Sequence, residues 1–252
     1  VQKFRLDHGL NADGIVGRTT IDFLNFTPKD RMVKVMVNLE RQRWLNFKRG
    51  ARHIVVNIPA FEVDIYDNGK SSFTSRVVVG VTRKDQTPEF YDEMTHMVIN
   101  PTWHVPASIA GKEYLPLLRE DPGFLRHQNM KMFNEAGAQV NPASLDLTVF
   151  DEKNFPYNIK QQPDPGNALG RVKFMFPNRF NIYLHDTPAK SLFSKDIRTF
   201  SHGCIRVQKP FDLAYKLLQR QTSDPRGFFK RYLDTGQENY VNLKQTIPVY
   251  VT

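Results

Sequence analysis

At residue 53 the chain exchanges one periodicity for another, and this limits its fold more than any other feature. The stretch "HIVVNIPAFEVDIYDNGKSSFTSRVVVGV" (53–81) alternates apolar and polar residues around Asp67–Asn68–Gly69. Period-two alternation places successive side chains on opposite faces of a sheet, and Asn-Gly supplies the positive φ angles of a tight hairpin turn. A hairpin of two strands is therefore expected. "MTHMVINPTWHVP" (94–106) reads as a further strand ending in an aromatic, Pro-bounded loop, and "GRVKFMFPNRFNIYLHDTP" (170–188) returns to strand alternation. "KPFDLAYKLLQRQ" and "DPRGFFKRYLDTG" have helical periods with Pro near their starts, and "TIPVYVT" closes as a short strand.

Ahead of this β-rich part the period is helical. Residues 29–49 carry Met32, Val35, Met36, Leu39, Arg43 and Trp44 at helical spacing, with Asp30 as an expected cap and the Met and Trp side chains expected in a core. In "VQKFRLDHGLNADGIVGRTTIDFLN" (1–25) two short helical stretches flank a Gly/Asn/Asp loop, with Thr19 or Thr20 as the second cap. Residues 107–160 interrupt the strands with helical pieces and polar Asn/Pro/Gly connections. An insertion of that length is expected to be a lid or binding element.

Charge is concentrated at the front: residues 1–53 hold 11 Lys and Arg against 5 Asp and Glu, +6 of the total +9. A basic front suits anionic partners, or is a solvated helix face. Charge alone suggests nucleic acid, and no nucleic-acid-reading motif supports it. No apolar run has the length of a membrane helix, and "VQKFRLDHGL" has no signal-peptide pattern.

The single cysteine in 252 residues sits in "TFSHGCIRV" (199–207), which excludes an internal disulfide. A nucleophilic cysteine needs a base or a positive field. His185 and His202 are the candidates, and His185 is favoured because it can approach from a neighbouring strand. In "NIYLHDT" alternation puts Tyr183 and His185 on one face and turns the Asp186 side chain to the other, so a main-chain carbonyl is the expected orienting group. The N–H groups of Gly203 and Cys204 are a candidate oxyanion hole. Two other readings stay open on the residues alone. His185, His202 and Cys204 could bind zinc, although no second close ligand pair is present, or Cys204 could be a buried structural thiol.

"HDTPAKSLFSKDIRTFSHGCIRV" (185–207) resembles the active-site signature of the L,D-transpeptidases: His185, fifteen residues, then Ser201, His202, Gly203 and Cys204. Arg206 occupies a position that is often asparagine in that family. "INPTWHVP" and "NALGRVKFMFPN" resemble its larger, YcbB-like periplasmic members. "HGLxxDGxxGxxT", carried by His8, Gly9, Leu10, Asp13, Gly14, Gly17 and Thr20, resembles the second half of a small helical peptidoglycan-binding module, with Arg5 where glutamine is frequent.

The resemblance implies an α+β fold, a β-rich mixed sheet with peripheral helices and an inserted capping subdomain. It divides the chain into a partial module (1–27), a helical linker (28–50) and a catalytic domain (51–252) containing the lid at 107–160. The implied reaction joins peptidoglycan stem peptides by 3→3 cross-links through a thioester on Cys204. In it His185 is the base, Gly203 shapes the oxyanion hole and the Asp186 carbonyl orients the base. Tyr183, Ser201, His202, Arg206 and Trp103 are implied on the substrate side, with Arg206 as a carboxylate clamp; packing is the other reading for Trp103. No metal or organic cofactor is implied, carbapenems are implied as inhibitors, and the location implied is the periplasm or cell envelope. An L,D-carboxypeptidase using water, or a silent wall-binding protein, are the alternatives.

Overall fold

The structure, a computed structural model, describes residues 1–44 and 49–252. The β-rich part opens with β1 (Arg52–Asn57), β2 (Glu62–Asp67) and β3 (Lys70–Gly80), each antiparallel to the next. Three strands stand where a hairpin of two is expected. The extra reversal at 58–61 is made by Phe61 in a left-handed conformation (φ 55°), unusual for an aromatic residue and therefore not legible. The Asn68–Gly69 turn forms as expected, with both residues at positive φ.

Further along are β4 (Phe90–Ile99), β5 (Trp103–His104), β6 (Met130–Phe133), β7 (Gln139–Val140), β8 (Asn158–Gln161), β9 (Val172–Met175) and β10 (Leu184–His185). The last strands are β11 (Thr199–Ser201), β12 (Ile205–Val207) and β13 (Asn239–Val251). The main sheet runs β11-β3-β12-β10-β9-β4-β13-β1-β2, and β2 also pairs with β3. That second pairing closes the sheet into a barrel-like ring. The α+β expectation holds.

The barrel's core gathers Ile54, Ile65, Met97, Phe174, Leu184 and Ile205. Two helices supply Leu213, Leu217 and Phe229 to it: α7 (Pro210–Leu218) and α8 (Pro225–Asp234), each with Pro in its first turn. The closing strand is longer than expected. β13 pairs with β4 along its length, with an irregularity between Asn242 and Ile247 that interrupts the alternation.

Residues 103–161 form a second, separate apolar cluster around Leu115, Leu118, Met132 and Ile159. A four-stranded sheet, β5-β8-β6-β7, backs it. Its strands of two to four residues are too short to give a period, which is why the segment reads as connections. The helical pieces are α4 (Ala107–Ile109), a π-helical turn (Ala110–Tyr114), α5 (Leu115–Glu120) and α6 (Phe124–His127). Gly111 on the π turn is obligatory, because a Cβ would lie 2.5 Å from the Glu152 carbonyl oxygen.

The front of the chain contains α1 (Gln2–Asp7), α2 (Arg18–Leu24) and α3 (Pro28–Trp44). Three expectations fail here. Thr27, together with Asp30, closes the start of α3: the Thr27 N–H donates to the Asp30 carboxylate (3.0 Å) and the Asp30 N–H to Thr27 Oγ1 (3.2 Å). Gly17 rather than a threonine precedes α2, and Thr20 is buried. Finally, α3 buries none of its residues: Met36 is 62% and Trp44 74% exposed. Positions 45–48 of the expected helix lie outside the described residues.

Arg5 is the hub of this segment, buried and bonded to the Asn11 carbonyl (2.6 Å), Thr20 Oγ1 (2.6 Å) and the carboxylates of Asp13 and Asp196. Asp196 also accepts from the Asn11 N–H (2.8 Å). The front of the chain thereby docks on the loop that leads from His185 to Cys204.

Candidate active site

The short strand β10 lies between β9 and β12, antiparallel to the first and parallel to the second. Its register sets His185 beside Lys173 on one side and Arg206 on the other. One step back, the Ile205 N–H donates to the Tyr183 carbonyl (3.0 Å), which brings Tyr183 alongside Cys204. Residues in register share a face, and so do residues two apart. Tyr183, His185, Cys204, Arg206 and Lys173 therefore belong to one face, and the Tyr183 and His185 rings meet edge-on at 5.7 Å.

His185 is buried, and its Nδ1 lies 2.5 Å from the Asp186 carbonyl oxygen. A carbonyl only accepts, so Nδ1 carries the proton and Nε2 keeps its lone pair. Burial, then the Arg206 charge, with Lys173 and Lys190 adding, push the imidazole down to about 3, against the opposing pull of the Asp186 carbonyl. The ring is neutral at physiological pH. The Asp186 carboxylate faces elsewhere, accepting from the N–H groups of Arg171 (2.9 Å) and Thr187 (2.7 Å) and pairing with Lys190.

The loop before Cys204 is tied internally. Ser201 Oγ donates to the Cys204 carbonyl (2.5 Å) and accepts from the Gly203 N–H (3.2 Å). Gly203 adopts φ +107°, a conformation that side chains disfavour, and a Cβ there would lie 3.1 Å from Ile182 Cδ1. Its carbonyl accepts from Thr87 Oγ1 (2.7 Å), and that hydroxyl accepts from the Gly80 N–H (2.9 Å).

The Cys204 sulfur points at the Asn181 carbonyl, 3.7 Å away. Burial pushes the thiol up, opposed by the Tyr183 N–H and phenol and by the charges of Arg206 and Lys173. At rest the thiol and the imidazole on this face are both neutral.

Two expected site residues have other partners in the structure. The Gly203 N–H donates to Ser201 Oγ, which takes one of the two N–H groups expected for an oxyanion hole. Ser201 is buried and shapes the turn rather than lining a cleft. His202 is exposed and its Nε2 lies 2.8 Å from Glu113 Oε1 on the π-helical turn, so it links the cysteine loop to the second cluster. The Trp103 ring packs in that cluster, edge-on to Tyr114 at 6.3 Å. Among the described residues no group of three or more His, Cys, Asp and Glu converges as a metal site would.

Lys173, Thr87 and Asn181 were not legible as site residues. Lys173 sits at an alternating polar position that reads as solvent-facing. Thr87 acts across 116 residues of sequence. Only Asn181 carried a signal, since Asn tolerates the left-handed conformation it adopts (φ 54°).

A thiol and an imidazole with a free Nε2 on one sheet face are groups that nucleophilic cysteine chemistry uses. The family model of YkuD, the L,D-transpeptidase catalytic domain, matches residues 51–236. A Haemophilus influenzae protein provisionally named an L,D-transpeptidase is 37% identical over 187 residues, covering 74% of this chain and 37% of that protein. The chain thus spans a little over a third of that relative's length. Among solved structures, an L,D-transpeptidase from Mycobacterium smegmatis aligns over 80% of this chain and 58% of its own, at 13% identity and TM-score 0.37. One solved in complex with imipenem aligns over 80% and 59%, at 14% identity and TM-score 0.36. On the family model and the relative, this chain belongs to the L,D-transpeptidase family, whose catalytic domains are peptidoglycan-modifying acyltransferases.

Proposed function

We propose that the chain forms 3→3 cross-links between peptidoglycan stem peptides through a thioester on Cys204. The observation that carries this reading is the Nδ1 bond of His185 to the Asp186 carbonyl, which leaves Nε2 as a base on the face shared with Cys204. In the first half-reaction the sulfur attacks the carbonyl of the third stem residue, a diaminopimelate L-centre, while His185 Nε2 takes the thiol proton. The C–N bond to the terminal D-alanine then breaks, and the same proton goes to the departing amine. In the second half-reaction the side-chain amine of another stem attacks the thioester, an amide forms and the C–S bond breaks, and the amine's proton returns through His185 to the sulfur.

Because thiol and imidazole are both neutral at rest, the thiolate forms during attack rather than beforehand. The Tyr183 phenol and the Cys204 N–H support the developing oxyanion. Arg206 binds a substrate carboxylate.

Residues 107–160 act as a capping subdomain of the YcbB-like kind. Their separate core and the Glu113–His202 contact support a lid that meets the cysteine loop. A closed lid favours an amine acceptor over water. Residues 1–27 are a partial peptidoglycan-binding module held against the 190–196 loop by Arg5, and the site of action is the periplasm. Carbapenems acylate Cys204.

Mass spectrometry of products from a purified disaccharide-tetrapeptide tests this reading. Cross-linked dimers with loss of one D-alanine are expected. Tripeptide alone would make water the acceptor and the protein an L,D-carboxypeptidase, and unchanged substrate would sink both activities.

A further inference from the structure

Lys173, His185 and Arg206 occupy one rung of three adjacent strands, a cation on each side of the candidate base. Among the described residues neither cation is held in an ion pair, although the Glu238 charge acts on Lys173 from a distance. Among the described residues no hydrogen bond or ion pair engages the Arg206 side chain, whose Nε is enclosed and without a partner. Lys173 is half-buried and likewise makes none; its Nζ lies over the Tyr183 ring, 5.9 Å from the centroid.

The nearby carboxylates hydrogen-bond to other groups rather than to these two cations. Glu238 accepts from the Thr102 N–H (2.5 Å), and Asp186 is held by Arg171, Thr187 and Lys190. Other half-buried or buried arginines of the barrel are bonded: Arg52 to the Lys216 carbonyl, Arg171 to Asn100, Arg198 to the Val77 and Phe61 carbonyls. An enclosed, unpartnered guanidinium nitrogen, with a second cation that forms no ion pair one strand beyond His185, is costly to maintain. An arriving anion would offset that cost.

We propose that Lys173 and Arg206 together bind a carboxylate of the acyl donor, which makes Lys173 a specificity-determining residue that the signature motif does not contain. The inference rests on the transpeptidase reading and deepens it.

Reach favours the C-terminal carboxylate of the residue being expelled. Arg206 lies in β12, two residues after Cys204, about 7 Å away from Cα to Cα if the chain between them is extended. A carbonyl under attack is about 3–3.5 Å from the sulfur. One further residue of chain adds at most about 3.6 Å. The sum matches the spacing. A side-chain carboxylate on a long diamino diacid shares the same chemistry and is the other source.

The test measures release of the terminal residue from three donor peptides: the free acid, its C-terminal amide, and a peptide amidated only on the side-chain carboxylate. Wild-type protein, Lys173→Met and Lys173→Arg are compared. Loss of a charged hydrogen bond predicts that wild type prefers the free acid over the C-terminal amide by about 10- to 100-fold in kcat/KM. Lys173→Met should abolish most of that preference, and Lys173→Arg should restore it. If the preference lies against the side-chain amide instead, and Lys173→Met removes it, the carboxylate site stands with the second source. If Lys173→Met slows all three donors equally, the proposal is overturned.

If no donor acylates Cys204, the transpeptidase reading fails instead. The carboxylate site is then decided by protection of Cys204 from iodoacetamide, an uncharged reagent. Protection by the free acid but not by an amide, lost in Lys173→Met, supports it, and equal or absent protection overturns it.

Discussion

His185 shows how one residue carries consequences in two directions. Burial and neighbouring cations hold it neutral in the fold, at about 3, whereas an unfolded histidine titrates near 6.5. The folded value is depressed, so its stability contribution is present above the unfolded value and is lost as pH falls. The window is the interval between about 6.5 and about 3, with a slope approaching about 1.4 kcal/mol per pH unit. His185→Gln should flatten the pH dependence of the urea midpoint across that window. An unchanged slope would mean that His185 titrates normally in the fold.

Gly203 gives a second test at this scale. Gly203→Ala puts a Cβ at φ +107° against Ile182 and should cost about 1–3 kcal/mol of stability. Acylation should fall more than tenfold, because the sulfur is aimed by that turn; a variant with wild-type acylation would show the conformation to be dispensable. That His185 and Cys204 share a face, and that the Asp186 side chain turns away while its carbonyl meets His185, were legible because strand alternation fixes faces. The commitment of the Gly203 N–H to Ser201 was not, since it depends on how a four-residue turn closes.

Among the elements, local chemistry and distant partners separate what could be read from what could not. The Asn68–Gly69 hairpin and the Pro-started helices α7 and α8 follow from residues within a few positions. Arg5 was visible only as a departure from a motif, because Asp196 lies 191 residues away. α3 has the period of an amphipathic helix yet buries none of its residues, since periodicity describes one face without saying what covers it.

Arg5→Met should break the docking of the front segment, leaving Asp196 with the Asn11 N–H alone. Loss of one partner of such a pair costs about 3–5 kcal/mol when fully buried, and less here because Asp196 is partly exposed. Hydrogen exchange should rise across residues 1–25 and 190–196 and stay unchanged in the barrel. Uniform exchange throughout would show that the front segment is one cooperative unit with the sheet.

At the scale of the molecule, two apolar clusters meet at the cysteine loop through Glu113 and His202. The insertion at 107–160 was legible as a break in strand character. Its sheet was not, and that sheet begins at Trp103. Excising residues 107–135 would therefore remove β6 and leave β8 paired only with the two-residue β5, so a point change is the cleaner probe. Glu113→Ala should leave acylation by a small β-lactam within about threefold. It should raise the ratio of tripeptide to cross-linked dimer, since a loosened lid admits water. An unaltered ratio would dissociate the lid from acceptor choice.

The account as a whole turns on Cys204 as the acylated residue. Its most direct test is intact-protein and peptide mass spectrometry of the chain quenched during turnover of a disaccharide-tetrapeptide. The prediction is a donor acyl mass on the peptide containing Cys204, with no adduct and no cross-linked dimer from Cys204→Ala. Dimer formation by Cys204→Ala, or an acyl group on any other residue, would contradict it.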